Sequence, residues 1–176
     1  RGTSDWRSLV GDPKVEAVII ATPQNLHHDI ALAAFALGKP VLCEKPLGAT
    51  IAEAEAMVAA AEGHVNMVGY NYIRTPASRF ARQLLEEGAI GRVTWFRGEH
   101  TEDLLAEPEG PASWRTSGMA FGTLGDLAPH PFNAAMALCG PVATVMAEIE
   151  TVHEERPGGT VTNDDHLQLM CRFESG

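Results

Sequence analysis

The chain has 176 residues, of which 45% are hydrophobic and 20% charged, as is ordinary for a globular protein with one complete core or two incomplete ones. Its 23 acidic residues outnumber its 13 basic residues, and the formal net charge is −10. These features exclude the basic patch that nucleic acid or an anionic membrane requires, and no apolar run approaches the roughly 20 residues that span a bilayer.

The first part of the sequence alternates helices with short apolar runs. A short helix is predicted over 4–10, and a nearly continuous β-branched run covers 15–21. Such a run is typical of a parallel strand that is covered on both faces. A helix follows over 26–37, with Gly38 at the position after its end, and a short buried strand covers 40–43.

A capping box begins the next helix. Thr50 and Glu53 have the spacing at which each side chain accepts a hydrogen bond from a backbone N–H group of the first turn. This helix is predicted to reach Glu62, and a third strand covers 65–68. Strands and helices that alternate through short loops predict an α/β fold with a doubly wound parallel sheet.

The pattern changes near residue 72. The elements predicted beyond it are a helix over 75–87, a strand over 92–100, some twenty irregular residues, a helix over 127–138 and strands over 144–152 and 166–173. Pro129 and Pro131 are compatible with the second helix only in or before its first turn. The last strand alternates apolar and polar residues, which predicts that one face of its sheet is buried. A separate α+β domain with a mostly antiparallel sheet is therefore expected.

These patterns predict a first domain over 1–72 and a second over 73–176. The sequence lacks an initiator Met and its last strand leads into an unfinished turn, so we expect a fragment of a longer chain. Cys43, Cys139 and Cys171 form no CxxC pair and lie among apolar residues. Such cysteines are typical of buried thiols in a reducing compartment, which favours a cytoplasmic protein.

Residues 21–28 follow the first strand and include the turn Thr22-Pro23-Gln24-Asn25. Ligands of open α/β sheets bind beyond the carboxyl ends of the strands, where helix N-termini offer N–H groups to phosphate. An ordinary turn with Asn25 as the helix cap is the simpler alternative. A metal site at His27 and His28 is disfavoured, because adjacent helical residues point in different directions and no partner follows at ligand spacing.

Glu44, Lys45 and Pro46 follow the second strand of the same predicted sheet. A lysine in this position is usually only a solvated strand end. Two features favour a functional role. Pro46 fixes the backbone directly after the lysine, and the site lies on the same edge of the sheet as the turn after the first strand.

A glycine-rich segment over 118–130 contains Asp126 and His130, four residues apart. If Asp126 begins a helical turn, the two side chains share a face, and the carboxylate can orient the imidazole as a general acid or base. An Asp that merely caps the helix is an equally good interpretation of this segment alone.

The order and spacing of these motifs resemble the glucose-fructose oxidoreductase / inositol 2-dehydrogenase / MocA (Gfo/Idh/MocA) family. The matching segments are Thr22-Pro23 with His28, Glu44-Lys45-Pro46, Gly69-Tyr70-Asn71-Tyr72 with Arg74 and Pro76, Trp114-Arg115, and Asp126 to His130. The resemblance covers nearly the whole chain. It implies the C-terminal half of a Rossmann-type domain, without its Gly-rich dinucleotide loop, followed by an incomplete substrate and oligomerisation domain.

The resemblance implies a hydride transfer between NAD or NADP and a hydroxyl-bearing carbon of a sugar or polyol. It implies no metal, and a homodimer or homotetramer formed through the sheet of the second domain. The residues implied to line the cofactor are Thr22, Pro23, Asn25, His28, Glu44, Lys45, Pro46, Trp114 and Arg115. Those implied as catalytic are Lys45, Asp126 and His130, and those implied to bind substrate are Lys45, Tyr72, Arg74, His130 and Asn133. Many members carry Asp at the position of Asn133, which weakens any inference of an inositol-type substrate.

Oxidation of an alcohol requires a base at its hydroxyl. Imidazole changes charge near neutral pH, whereas a lysine amine needs burial or cationic neighbours to do so. We favour His130 held by Asp126 as the proton relay and Lys45 as the group bonded to the reacting oxygen, and leave open which accepts the proton first. The alternatives are a redox glycosidase of the same family that retains its NAD, and a non-catalytic sensor of dinucleotide or sugar.

Overall fold

The computed structural model of the protein describes residues 2–113, 115–117 and 122–176. The chain divides into two compact units, Arg1–Gly69 and Tyr70–Gly176. The first contains a parallel sheet and the second contains antiparallel sheets, which confirms the predicted fold class. Within the described ranges, no helix has the length and apolar character that crossing a membrane requires.

The first unit is built on a three-stranded parallel sheet with the strand order β1-β2-β3. Its elements are α1 (Trp6–Gly11), β1 (Val18–Ile20), a 3₁₀ turn (Gln24–Leu26), α2 (His27–Ala36), β2 (Val41–Cys43), α3 (Ile51–Ala60) and β3 (Asn66–Val68). Ile20 lies opposite Cys43, which lies opposite Val68, so the three strands end level with one another. All three strands and both long helices were predicted, with strands shorter than expected.

The core of this unit lies on one face of the sheet. Val18 and Ile20 of β1 are buried together with Ala31 and Phe35 of α2. Ile19 points to the other face and is 74% exposed. The prediction that β1 is covered on both faces is therefore wrong for the described residues, because the helices that contribute to the core pack on the same side of the strand.

Local hydrogen bonds explain where α3 begins. The Thr50 hydroxyl accepts from the Glu53 N–H at 3.1 Å, as the predicted capping box requires. The Glu53 carboxylate accepts from the Ala49 N–H at 2.8 Å rather than from that of Thr50. Glycine at position 48 lets the backbone pass close to the first turn of α3, since a Cβ there would lie 2.9 Å from the Ala54 nitrogen.

The second unit combines two helices with antiparallel strands. Its elements are a 3₁₀ turn (Tyr72–Arg74), α4 (Pro76–Glu86), a π-helical turn (Thr123–Leu127), α5 (Pro129–Cys139), β4 (Val142–Glu150), β5 (Glu155–Arg156), β6 (Gly159–Thr160) and β7 (His166–Phe173). β4 pairs with β7, and β5 pairs with β6. Pro129 and Pro131 fall in the first turn of α5, as predicted.

Two expectations for this unit are wrong. Residues 92–100 form no strand, although their apolar and polar residues alternate. A strand needs a hydrogen-bonding neighbour, and among the described residues β4 and β7 pair with each other and β5 with β6. No residue of β7 is fully buried, and Leu169 is 41% exposed, because little of the described chain packs on the β4–β7 face.

The hairpin of β5 and β6 was not predicted. Its turn contains Pro157 and Gly158, and Gly158 adopts a φ of 94° that glycine tolerates best. The hairpin carries a buried arginine, Arg156, whose guanidinium donates to the carbonyl oxygens of Leu105 and Glu107. It thereby anchors the irregular segment that precedes the glycine-rich stretch.

Candidate functional site

The predicted site residues of the first unit lie at one edge of its sheet. The ladder continues one residue past the strands, because the Glu44 N–H donates to the Ile20 carbonyl at 2.9 Å and the Gly69 N–H donates to the Cys43 carbonyl at 2.7 Å. The turns that follow β1 and β2 therefore begin side by side. This is the edge at which ligands of open α/β sheets bind.

His27 joins these two turns. It is 1% exposed, its Nδ1 lies 2.9 Å from the Pro46 carbonyl oxygen, and its Nε2 lies 2.8 Å from the Thr22 carbonyl oxygen. The sequence analysis considered His27 only as a poor metal ligand. A signal was present, because His27 continues the helical stripe formed by Ile30, Ala31 and Ala34, all of which are buried.

The predicted cofactor residue His28 is less buried than His27. Its Nδ1 lies 2.9 Å from an oxygen of Asp29. Asp29 is the next residue of the same helix, so this contact is local to α2. Contact between His28 and a cofactor stays a prediction.

Two buried polar atoms of the turn after β1 have no hydrogen-bond partner among the described residues. They are the Thr22 hydroxyl and the side-chain carbonyl of Asn25. Asn25 does not cap α2, which begins without a side-chain cap, so the predicted cap at Asn25 is wrong. Leaving a buried polar group unsatisfied costs about 1–3 kcal/mol, and the hydroxyl and phosphate groups of a dinucleotide would satisfy both. The residues present therefore fit such a cofactor.

The second turn holds a carboxylate over a glycine. A Cβ at Gly69 would lie 3.0 Å from the carboxyl carbon of Glu44, so a larger residue there would displace that carboxylate by a few tenths of an ångström. Glu44 also accepts from the Lys45 N–H at 3.3 Å. Cys43, one residue earlier, points into the core. Burial, with a smaller contribution from the Glu44 charge, raises the pKa of its thiol to about 12, so it is not a nucleophile.

In the second unit, the aromatic rings of Tyr72 and His100 pack against the predicted catalytic histidine, His130. The ring centroids of Tyr72 and His130 lie 4.3 Å apart, and those of His100 and His130 lie 5.6 Å apart. The His100 Nε2 lies 3.0 Å from an oxygen of Glu102. His100 was not predicted as a site residue, since it falls in the segment interpreted as an ordinary strand. Tyr72 was predicted, and its contact with His130 is consistent with a substrate-binding role.

Asp126 forms an ion pair with Arg115. The Arg115 Nη1 donates to the Asp126 Oδ2 at 2.7 Å. Asp126 lies in the π-helical turn and His130 in the first turn of α5. The proposed hold of Asp126 on His130 stays a prediction, and so does a contact between Arg115 and the cofactor.

Residues just before β7 support both members of this ion pair. The Asn163 side-chain amide donates to the Arg115 carbonyl at 3.0 Å. The Asp164 carboxylate accepts from the Leu124 N–H at 2.6 Å, and the Asp164 carbonyl accepts from the Thr123 N–H at 2.9 Å. The sequence analysis missed this support, which joins positions about forty residues apart in the chain.

The remaining predicted residues differ in their surroundings. Asn133 lies three residues after His130 on α5, and its buried side-chain carbonyl has no hydrogen-bond partner within the described ranges. Arg74 is exposed. Trp114 and residues 118–121 of the glycine-rich segment lie outside the described residues. In the described part of the chain, no cluster of three or more His, Cys, Asp or Glu side chains could hold a metal ion.

Comparison with known protein families matches both halves of the chain. The profile described as the oxidoreductase family with an NAD-binding Rossmann fold matches residues 1–72. The profile of the GFO/IDH/MocA C-terminal domain matches residues 78–176. The two matches together cover most of the sequence and confirm the resemblance found from its motifs.

Individual relatives agree with these profiles. The levoglucosan dehydrogenase of Pseudarthrobacter phenanthrenivorans is 42% identical over 99% of this chain, and the NADP-dependent D-xylose 1-dehydrogenase of Haloarcula marismortui is 33% identical over 89%. The chain spans 50% and 47% of their lengths. The solved structure of a levoglucosan dehydrogenase in complex with NADH and levoglucosan has a TM-score of 0.95 and 45% identity, covering 99% of this chain and 49% of that one.

Proposed function

Because the chain belongs to the Gfo/Idh/MocA family of oxidoreductases, we propose that it forms part of an NAD(P)-dependent dehydrogenase of sugars or polyols. The observation that carries the proposal is the edge of the parallel sheet in the first unit. There, two buried polar atoms of Thr22 and Asn25 lack a partner among the described residues, and the turn that carries Lys45 begins beside them. The edge thus combines buried polar atoms that suit hydrogen bonds to a ligand with a side chain able to act on a hydroxyl.

The cofactor role is assigned to the residues around these two turns. Thr22, Pro23, Asn25 and Glu44 would bind the dinucleotide, whose nicotinamide would supply the hydride acceptor when bound. The Glu44 carboxylate, held over Gly69, is suited to accept hydrogen bonds from sugar hydroxyls. Both NAD and NADP are proposed as cofactors, since one relative is named as NADP-dependent and another was solved in complex with NADH.

The proton role is assigned to Lys45 and His130. An alcohol that loses hydride must also lose its hydroxyl proton, which an imidazole can accept, as can a lysine amine in its neutral form. Lys45 would bind the reacting oxygen, and His130 would carry the proton away. Asp126 would stabilise the imidazolium form of His130 through its charge, and Arg115 holds the carboxylate in place at 2.7 Å.

The substrate is proposed to be a sugar or a related polyol. Two relatives are named for levoglucosan and D-xylose, both of which carry several hydroxyl groups. Aromatic faces such as that of Tyr72, which is 46% exposed, pack well against the apolar faces of sugar rings. The buried side-chain carbonyl oxygen of Asn133 can accept a hydrogen bond from a substrate hydroxyl.

A panel of aldoses, anhydrosugars and polyols, tested with NAD and with NADP in a protein of the relatives' full length that contains this chain, checks the proposal. Reduction of the nicotinamide by at least one member of the panel is expected. Release of free sugar from a glycoside without net NADH, by a protein that retains its cofactor, would instead identify the redox glycosidase. Binding of ligands without turnover would identify a sensor, which the presence of both Lys45 and His130 disfavours.

We also propose a homodimer or homotetramer formed through the β4–β7 sheet. Val145 and Ile149 of β4 share a face with Leu169 of β7, and all three are substantially exposed. A cytoplasmic location is proposed as well, supported by three cysteines that are free thiols among the described residues.

A further inference from the structure

The ring of His27 faces two acceptors and no donor. Its Nδ1 lies 2.9 Å from the carbonyl oxygen of Pro46, and its Nε2 lies 2.8 Å from the carbonyl oxygen of Thr22. A carbonyl oxygen can only accept a hydrogen bond. Both ring nitrogens must therefore carry a proton for both contacts to be hydrogen bonds, and only the imidazolium form has two N–H groups.

Because His27 is buried, the loss of either hydrogen bond would be costly. The side chain is 1% exposed, so water cannot replace either partner. If the ring were neutral, one nitrogen lone pair would face a carbonyl oxygen in a buried position, which is unfavourable. In the imidazolium form both contacts are charge-assisted hydrogen bonds, which are roughly twice as strong as neutral ones.

The two acceptors belong to the two turns of the candidate site. Thr22 begins the turn after β1, and Pro46 directly follows Lys45 in the turn after β2. The His27 ring thus contacts a backbone carbonyl oxygen of each turn. A ring held between them fixes the separation of the two backbones.

We propose that His27 is a positioning residue, held as an imidazolium, whose two N–H groups tie the turn that carries Thr22 to the turn that carries Lys45. The side chain does not touch the reacting atoms. It fixes the backbone from which the Lys45 side chain extends relative to the backbone that lines the cofactor surface. The effect of His27 on catalysis rests on the proposed function, whereas its protonation state and its bonds to the two turns do not.

Nuclear magnetic resonance of the full chain, labelled with ¹⁵N-histidine at neutral pH, tests the protonation state. His27 is expected to show two exchange-protected ring N–H signals, with both nitrogen shifts in the imidazolium range. The signals can be assigned by through-bond correlation in the unmodified chain, so no variant has to fold for this measurement. A single ring N–H signal, or one nitrogen with the shift of an unprotonated ring, overturns the proposal.

A second measurement tests the tie between the turns. His27→Phe keeps an aromatic ring but removes both donors, and it should shift the backbone amide signals of residues 22–26 and of residues 44–47. The matched control is His64→Phe, because His64 is another histidine of the same unit that packs on Phe35. The control should leave both turns unchanged. If His27→Phe shifts the signals of only one turn, the proposal is overturned. If His27→Phe does not fold, His27→Gln, which has one donating nitrogen instead of two, provides the same comparison.

Kinetics in a protein of the relatives' length separate this proposal from the proposed function. At saturating cofactor, His27→Phe is expected to lower kcat by about 10²-fold, as a small misplacement of a catalytic group does, with a much smaller change in the KM for sugar. An unchanged kcat per folded molecule overturns the positioning role. A protein without dehydrogenase activity contradicts the proposed function, while the two spectroscopic measurements still decide whether His27 is the charged tie.

Discussion

Cys43 and Lys45 lie two residues apart at the end of β2, in very different surroundings. Cys43 is 2% exposed, and burial with the nearby Glu44 charge raises the pKa of its thiol from 9.0 to about 12. The unfolded chain therefore loses this proton at a lower pH than the folded chain does. The contribution of Cys43 to stability is complete below about pH 9 and is lost as the pH rises toward 12.

This difference predicts a specific alkaline effect. Between these two pKa values the free energy of unfolding should fall by as much as about 1.4 kcal/mol per pH unit because of this thiol. Cys43→Ala should lack that part of the decline, although it will be less stable at neutral pH because a small cavity remains. Urea unfolding of both proteins across the alkaline range measures the difference. Parallel curves for the two proteins would show that Cys43 is not the group responsible.

Lys45 supports a second prediction, which concerns activity. Lys45→Met, in a protein of the relatives' full length, should lower turnover by roughly 10²–10⁴-fold, the range for a positioned proton-transfer group. Cofactor affinity should stay within a few-fold, because the change leaves the Thr22 turn and the Glu44 carboxylate intact. Steady-state rates and a titration with the dinucleotide provide the two measurements.

Lys39→Met is the matched control for this change. The Lys39 ammonium donates to the carbonyl oxygens of Val10 and Asp12, which is a structural role. Its loss should lower the free energy of unfolding by about 1–2 kcal/mol and leave turnover per folded molecule unchanged. Ordinary turnover by Lys45→Met would remove the lysine from the mechanism.

The helices could be predicted from the sequence because their ends depend on local residues. Thr50 and Thr75 cap the helices they precede, and α3 and α4 begin at the following residue. The strand predicted over 92–100 is absent, because strand formation depends on a partner that local alternation does not reveal. The motifs likewise identified the edge of the first sheet. They missed His27, whose importance depends on which face of α2 is buried.

The π-helical turn that carries Asp126 is held by Asp164, a residue distant from it in the sequence. Asp164 accepts from the Leu124 N–H, and a Cβ at Gly122 would overlap the Asp164 backbone, so the turn packs tightly on the segment before β7. Asp164→Ala should lower the free energy of unfolding by about 1–2 kcal/mol, as the loss of a cap does. It should also lower turnover in a protein of the relatives' length, because Asp126 loses its support.

Asp165→Ala controls for general damage to this loop. The Asp165 carboxylate accepts from the Val152 and His153 N–H groups, which follow β4, rather than from the π-helical turn. A similar loss of stability with little loss of turnover is expected for Asp165→Ala. Melting curves and rates for both variants, each also combined with Asp126→Asn, test the assignment. If Asp164→Ala and Asp126→Asn lower the rate additively, Asp164 does not act through Asp126.

At the scale of the whole molecule, the acidic charge opposes an exposed apolar surface. The net charge of −10 favours separate molecules through repulsion, which salt screens. The β4–β7 face favours contact, since Val145 is 59% exposed and Ile149 is 49% exposed. A two-stranded ribbon is only marginally stable in water without a covering layer. The balance between these effects should depend on ionic strength.

We therefore expect the chain to self-associate through the β4–β7 face, more strongly at higher salt. Ile149→Lys places a charge on this face, opposite Leu167, and should weaken association by tenfold or more, since burying an isoleucine side chain contributes about 1.5–3 kcal/mol. Gln168→Lys is the matched control, because Gln168 lies on the opposite face of the same ribbon, across from Glu148. It adds the same charge and should leave association nearly unchanged. Sedimentation velocity over a range of protein and salt concentrations measures all three proteins. Equal weakening by the two substitutions would show that net charge, rather than this face, controls association, and an unmodified chain that stays monomeric at high salt would remove the β4–β7 sheet as the interface.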